Sequence, residues 1–271
     1  MVQQVSLMST IAASQYNLTQ LTLMSLTGMR PLDLSTHTVT LKPKFPFKPE
    51  VVAGKVNQIE QYRIRMNRVW DAPLLEEIEK LDEGEIKGQS IFETGENAIK
   101  NLQDIWTLQV SEIPLAGKRT TSSQTIYEIT VCDTDDILGY LDELGYMPET
   151  EFWTKGSRFF YNDVIIEVFK IFQGKPKSPQ AENDEFAMET DETGETELEE
   201  LDSAKKFFVK ACINVAKITD VDNLTKASKQ LETLKTELSG LFELEMPNRV
   251  AMDSRLNSRI VSAGQQPRSR P

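Results

Sequence analysis

Val209, Ala211, Ile213 and Val215 alternate with Lys210, Cys212, Asn214 and Ala216, and a period of two predicts a strand whose faces see different surroundings. Immediately after it, Leu224, Ala227, Leu231, Leu234, Leu238 and Leu241 recur at spacings of three and four, which lays one apolar stripe along a helix. Asp220 or Asp222 is placed to cap the start of that helix, and Gly240 lies near its end. The same alternation predicts strands over Val2–Met8, Leu34–Leu41, Gln58–Val69 and Thr125–Cys132, with Gln3, Val5 and Leu7 sharing one face of the first. Ile105–Val110, Glu151–Tyr161 and Val164–Phe172 also read as strands, the last two joined by a compact Asn162-Asp163 turn. Helices are predicted over Tyr16–Leu26, ended by Gly28, and over Asp136–Leu144, ended by Gly145.

Many strands from both ends of the chain and few helices predict an α+β fold, a multistranded antiparallel barrel-like sheet with a few flanking helices. Such a sheet can close into a barrel, which removes exposed strand edges, or stay open and strongly curved. At 271 residues the chain can bury a sizeable core. One domain is expected over residues 1–255. It carries a glycine-punctuated excursion at 71–100, with at most a short helix around Leu74–Leu81, and an acidic loop at 174–203 too polar to fold alone, read as mobile. Residues 256–271 read as a flexible tail.

Charge sharpens that division. The formal net charge is −12, yet eleven Asp and Glu with no Lys or Arg fall between Ala181 and Asp202, so the remainder carries only −1. Met1–Met29 has no charged residue, but its glutamines and asparagine interrupt any secretory or membrane-spanning apolar run. Cys132 and Cys212, each within a predicted strand and without metal-ligand spacing, are expected to be two buried thiols in a reducing compartment. His37 is the single histidine, which excludes two-histidine chemistry, and it is expected to face solvent. No cofactor or metal site is predicted.

Several segments in register resemble a known family: Met1-Val2-Gln3-Gln4-Val5-Ser6-Leu7, Trp106-Thr107-Leu108-Gln109-Val110-Ser111-Glu112-Ile113-Pro114-Leu115-Ala116-Gly117, Ser123-Gln124-Thr125-Ile126, Leu144-Gly145-Tyr146, and Ala211-Cys212-Ile213-Asn214-Val215 through Met252-Asp253-Ser254-Arg255. Together they are similar to fungal Mediator of RNA polymerase II transcription, subunit 18. The resemblance implies a non-enzymatic nuclear subunit of the Mediator head module. It implies pairing with the similarly folded subunit 20, tethering by a C-terminal helix of subunit 8, and contact with the polymerase machinery through the head. The 71–100 excursion and the acidic loop inherit nothing from it.

Barrels of this kind also resemble tunnel triphosphatases, whose strands alternate Glu-x-Glu-x-Lys so that inward side chains hold metal and then phosphate. The nearest match is Glu149-Thr150-Glu151-Phe152-Trp153, with Trp153 where lysine is required and Lys155 one pleat further on, so the barrel is expected to lack that active site. Nucleic-acid binding through Arg63, Arg65 and Arg68, or through Arg259, Arg268 and Arg270 in the tail, is disfavoured by the near-neutral domain and the acidic loop. For a protein partner the candidate surface is the first helix, where Tyr16, Thr19, Leu23 and Leu26 form one face; burial in the core accounts for that face equally well. Arg249, Asp253 and Arg255 are placed to form an ion-pair clamp at the chain end.

Overall fold

The computed structural model describes residues 1–46, 51–52, 55–56, 60–70, 86–92, 105–132, 136–175, 195–217 and 219–256. In chain order the elements are β1 (Val2–Ile11), α1 (Tyr16–Thr27), β2 (Leu32–Pro43), β3 (Val51–Val52), β4 (Lys55–Val56), β5 (Ile64–Val69), β6 (Lys87–Gln89), β7 (Trp106–Ser111), β8 (Ser122–Val131), α2 (Ile137–Glu143), β9 (Tyr146–Tyr161), β10 (Val164–Gly174), β11 (Glu195–Glu200), β12 (Phe207–Val215) and α3 (Val221–Glu237). The strands pair in the order β12-β1-β8-β7-β5-β2-β9-β10, and β10 pairs back onto β12, so eight antiparallel strands close a barrel. β11 and β6 extend outward from the far end of β10, and β3 and β4 form a separate two-stranded ribbon.

The strand registers carry two unlike faces around the ring. One face holds Val5 and Leu7 of β1, Val209 and Ala211 of β12, Ile166 and Val168 of β10, Phe159 of β9, Val39 of β2 and Met66 of β5. An eight-stranded barrel has room inside for side chains but not for a helix, so the face that the described helices cover is the outer one. Leu23 of α1 and Ala227, Leu231 and Leu234 of α3 bury the β1–β12–β10–β9 sector. Ile137 and Leu141 of α2 cover Val39, Leu41, Met66 and Trp106. Leu198 of β11 covers Trp153 and Phe172. Among the described residues, the hydrophobic core thus forms three separate layers between barrel wall and cover, while the inner wall is largely polar.

Local chemistry sets the turns as the sequence predicts. Gly28 ends α1 at φ 69°, and Asn162 takes φ 54° in the turn that sets Tyr161 opposite Val164. Asp220 caps α3 by accepting from the backbone amide of Asn223 at 3.1 Å. The helix stops at Glu237, and Leu238 and Leu241 continue its stripe from the turn beyond.

Four expectations are corrected. Residues 195–200 of the supposed mobile loop are a strand, held because Leu198 is buried against Trp153 and Phe172 while Phe172 and Gly174 pair with Glu200 and Leu198. Lys87–Gln89, within the 71–100 excursion, pairs with that strand; the helix read around Leu74–Leu81 lies outside the described residues. Cys132 is exposed because β8 ends at Val131, while Cys212 is buried and burial raises its thiol pKa. His37 is fully buried, because it stands in phase with Val39 on the covered outer face.

Candidate functional site

The Glu149-x-Glu151 pair tests the enzymatic alternative directly. In an unbroken strand both carboxylates would point to the same face. Here the β2–β9 register shifts between Thr40, opposite Thr150, and Leu41, opposite Pro148, so Glu149 is the extra residue of a bulge. Glu149 lines a cavity on the inner wall, where it accepts from Arg63 Nε at 2.7 Å and lies 3.8 Å from Lys42 Nζ. Glu151 stays on the outer face and accepts from Ser90 Oγ, the amide of Ile91 at 3.0 Å and His37 Nε2 at 3.2 Å. The wall separates the two carboxylates, and among the described residues no cluster of three metal-ligating side chains occurs. Lys155, the third member of the broken motif, is buried on the outer face with Asp33 at 2.7 Å and Ser35 at 2.8 Å.

The histidine network was not read from the sequence. The ring of His37 stacks on Trp153 at 4.6 Å between centroids, and Arg68 Nε donates to its Nδ1 at 3.0 Å. Because Nδ1 accepts, the ring proton sits on Nε2 and is donated to Glu151. Arg68 also lies 5.0 Å above the Trp106 ring. This cluster fastens residues 89–91 to the barrel wall and presents no reactive atom.

The three candidate arginines do not share a surface. Arg63 and Arg65 face the inner wall, Arg63 pairing with Glu149, whereas Arg68 is buried on the outer face. Arg259, Arg268 and Arg270 lie outside the described residues.

On α1, the face carrying Tyr16, Thr19, Leu23 and Leu26 turns onto the chain's own barrel. Thr19 and Leu23 are wholly buried, Tyr16 stacks on Phe207 at 4.2 Å, and Leu26 packs against the same layer. The exposed apolar residues of this helix are Leu18 and Leu21, and a second exposed pair, Tyr127 and Ile129, stands on the outer face of β8, away from the described helices.

The C-terminal segment forms a strap that sequence reading saw only in part. Glu245 exchanges two backbone hydrogen bonds of 2.8 Å with Met8, and Arg63 and Leu256 pair with Ser254 and Gln61 at the other end. In between, Arg249 Nε donates to the Pro114 carbonyl at 2.7 Å, Gln124 donates to the Met252 carbonyl, and Ser254 Oγ donates to the Ser111 carbonyl. The strap therefore crosses from β1 to β5 beneath the β7–β8 connection. The predicted clamp is corrected in its membership: Arg255 pairs with Asp253 and with Glu60, while Arg249 serves the carbonyl.

This architecture and the chain's residues match known proteins. The model of the Med18 protein family matches residues 3–255, the whole barrel and its strap. Subunit 18 of the Mediator of RNA polymerase II transcription from Yarrowia lipolytica is 32% identical over 256 residues, covering 94% of this chain and 100% of the relative. Its counterpart from Kluyveromyces lactis is 31% identical over 268 residues, covering 95% and 99%. Among solved structures, a chain of the Schizosaccharomyces pombe Mediator head module superposes with a TM-score of 0.61 at 14% identity, over 90% of this chain and 98% of that one. The chain belongs to the Med18 protein family.

Proposed function

We propose that this chain is a non-catalytic nuclear subunit of the Mediator head module that supports RNA polymerase II transcription by geometry. It pairs with subunit 20 and is held to the rest of the head by a C-terminal helix of subunit 8. The observation that carries the reading is the family match across the entire barrel. The split of Glu149 and Glu151 across the wall agrees with it, since Glu149, Glu151 and Lys155 are each engaged by separate partners and do not converge on a common point. Apolar residues left uncovered on the outside, Leu18 and Leu21 on α1 and Tyr127 and Ile129 on β8, supply surface of the kind that stable partners bury.

Co-expression of the chain with subunits 20 and 8 tests the proposal. A stable three-component complex on size-exclusion chromatography is expected; a chain that stays monomeric beside both overturns it. Manganese-dependent release of phosphate from a nucleoside triphosphate, lost in Glu149→Ala, would instead make the protein an enzyme.

A further inference from the structure

At one height of the inner wall, neighbouring strands set four polar side chains in a row. Arg65 of β5 lies opposite Gln109 of β7 on one side and Thr40 of β2 on the other, and Thr40 lies opposite Thr150 of β9. All four line a cavity of about 300 Å³ whose remaining boundary includes strap residues Ala251, Asp253 and Ser254.

Among the described residues, the other basic groups around this row have counter-ions. Arg63 and Lys42 share Glu149, and Arg255 takes Asp253 and Glu60. Gln109 donates its amide to Glu128 at 2.9 Å. Among the described residues, none forms an ion pair or a hydrogen bond with the Arg65 side chain. Arg65 is exposed to the solvent of the cavity, and the surrounding wall lowers its guanidinium pKa from the ordinary arginine value. Arginine nevertheless remains charged at neutral pH. Arg65 is thus a cation in a concave site with no counter-ion among the described residues, and an anion entering the cavity would supply one.

We infer that this cavity binds a small tetrahedral oxyanion of the phosphate or sulfate type, with Arg65 as the anchoring cation and the hydroxyls of Thr40 and Thr150 as supporting donors. A guanidinium presents paired N–H groups that match two oxygens of such an anion, and the hydroxyls serve the others. The Asp253 carboxylate at the cavity edge does not take that role, because Arg255 engages both of its oxygens. The site is independent of the partner reading, and its occupation would stiffen the strap that borders it.

The test is the melting temperature of the full chain at constant ionic strength as chloride is exchanged for inorganic phosphate, sulfate or acetate. Phosphate and sulfate are expected to raise it saturably, by roughly 5 °C or more at 100-fold over the dissociation constant. Acetate is expected to leave it unchanged. Arg65→Met abolishes the rise, and Thr150→Val weakens binding several-fold. A phosphate effect no larger than that of acetate, or an equal effect in Arg65→Met, overturns the inference. Should Arg65→Met fail to fold, the ³¹P line width of inorganic phosphate decides the matter on the wild-type chain: broadening reversed by sulfate supports the site, and an unbroadened line overturns it.

Discussion

Glu151 accepts hydrogen bonds from three donors in a partly buried setting, so its removal strands more than one of them. Glu151→Ala leaves His37, Ser90 and the Ile91 amide without their shared acceptor. The expected cost is about 3 kcal/mol, read as a lowered urea midpoint, whereas Glu151→Gln, which keeps an acceptor oxygen, loses less. An unchanged midpoint in the alanine variant would mean that the network does not stabilise the fold. This site was partly legible in the sequence. His37 is in phase with Val39, and Arg68 is in phase with Ile64 and Met66, so alternation already placed both polar residues on the apolar side of their strands. What alternation lacked was the identity of the covering groups. Trp153 lies opposite His37 on the next strand, and residues 89–91 return from far along the chain, so neither partner is visible within either strand.

At the scale of elements, close packing between neighbouring strands requires a glycine in the middle of β9. Gly156 lies opposite Phe169 of β10 and Leu34 of β2, and a methyl group there would run into the Val168 carbonyl oxygen and the backbone of Phe169. Backbone cannot yield as a side-chain tip can, so Gly156→Ala is expected to destabilise by about 1–3 kcal/mol. Gly174→Ala is the matched control, since its new methyl would meet only Thr196 at an ordinary 3.5 Å. Equal denaturation midpoints for the two variants would contradict this account. The eight barrel strands and the three described helices were legible because each has an apolar period of its own. β11 was not: its sequence is Glu-Thr-Glu-Leu-Glu-Glu, and it is extended because β10 and β6 pair with it and Leu198 finds a cover. The bulge beside Glu149 was equally hidden, because an added residue in one strand appears only when its partner's register is known.

For the whole molecule, closure depends on distant parts of the chain, and the strap adds a second long-range tie. The Tyr62 hydroxyl, at 2.5 Å, and the Arg255 guanidinium, at 2.9 Å, hold the Glu60 carboxyl below its ordinary value of 4.5. A carboxyl lowered by folding contributes stability that is present above its unfolded value and lost as pH falls through the folded one. As pH falls below that ordinary value, therefore, the amides of the strap end at Arg63 and Leu256 are expected to lose protection relative to their intrinsic exchange rates while the β1 amides stay protected. Glu60→Gln removes that acid response; simultaneous loss of protection in β1 would show instead that strap and barrel open as one unit. A large antiparallel sheet followed from strand count, but whether it closes, and through which pair, did not; the closing pair is β10 with β12, and both strands also pair elsewhere. That topology has a consequence during synthesis. Gln3 pairs with Val215, so a nascent chain must be extended by more than two hundred residues before its first strand meets its last, roughly ten to forty seconds at ribosomal rates. Through that interval Val5 and Leu7 emerge on a strand with an unfilled edge, which makes the newborn polypeptide prone to aggregate until translation reaches β12.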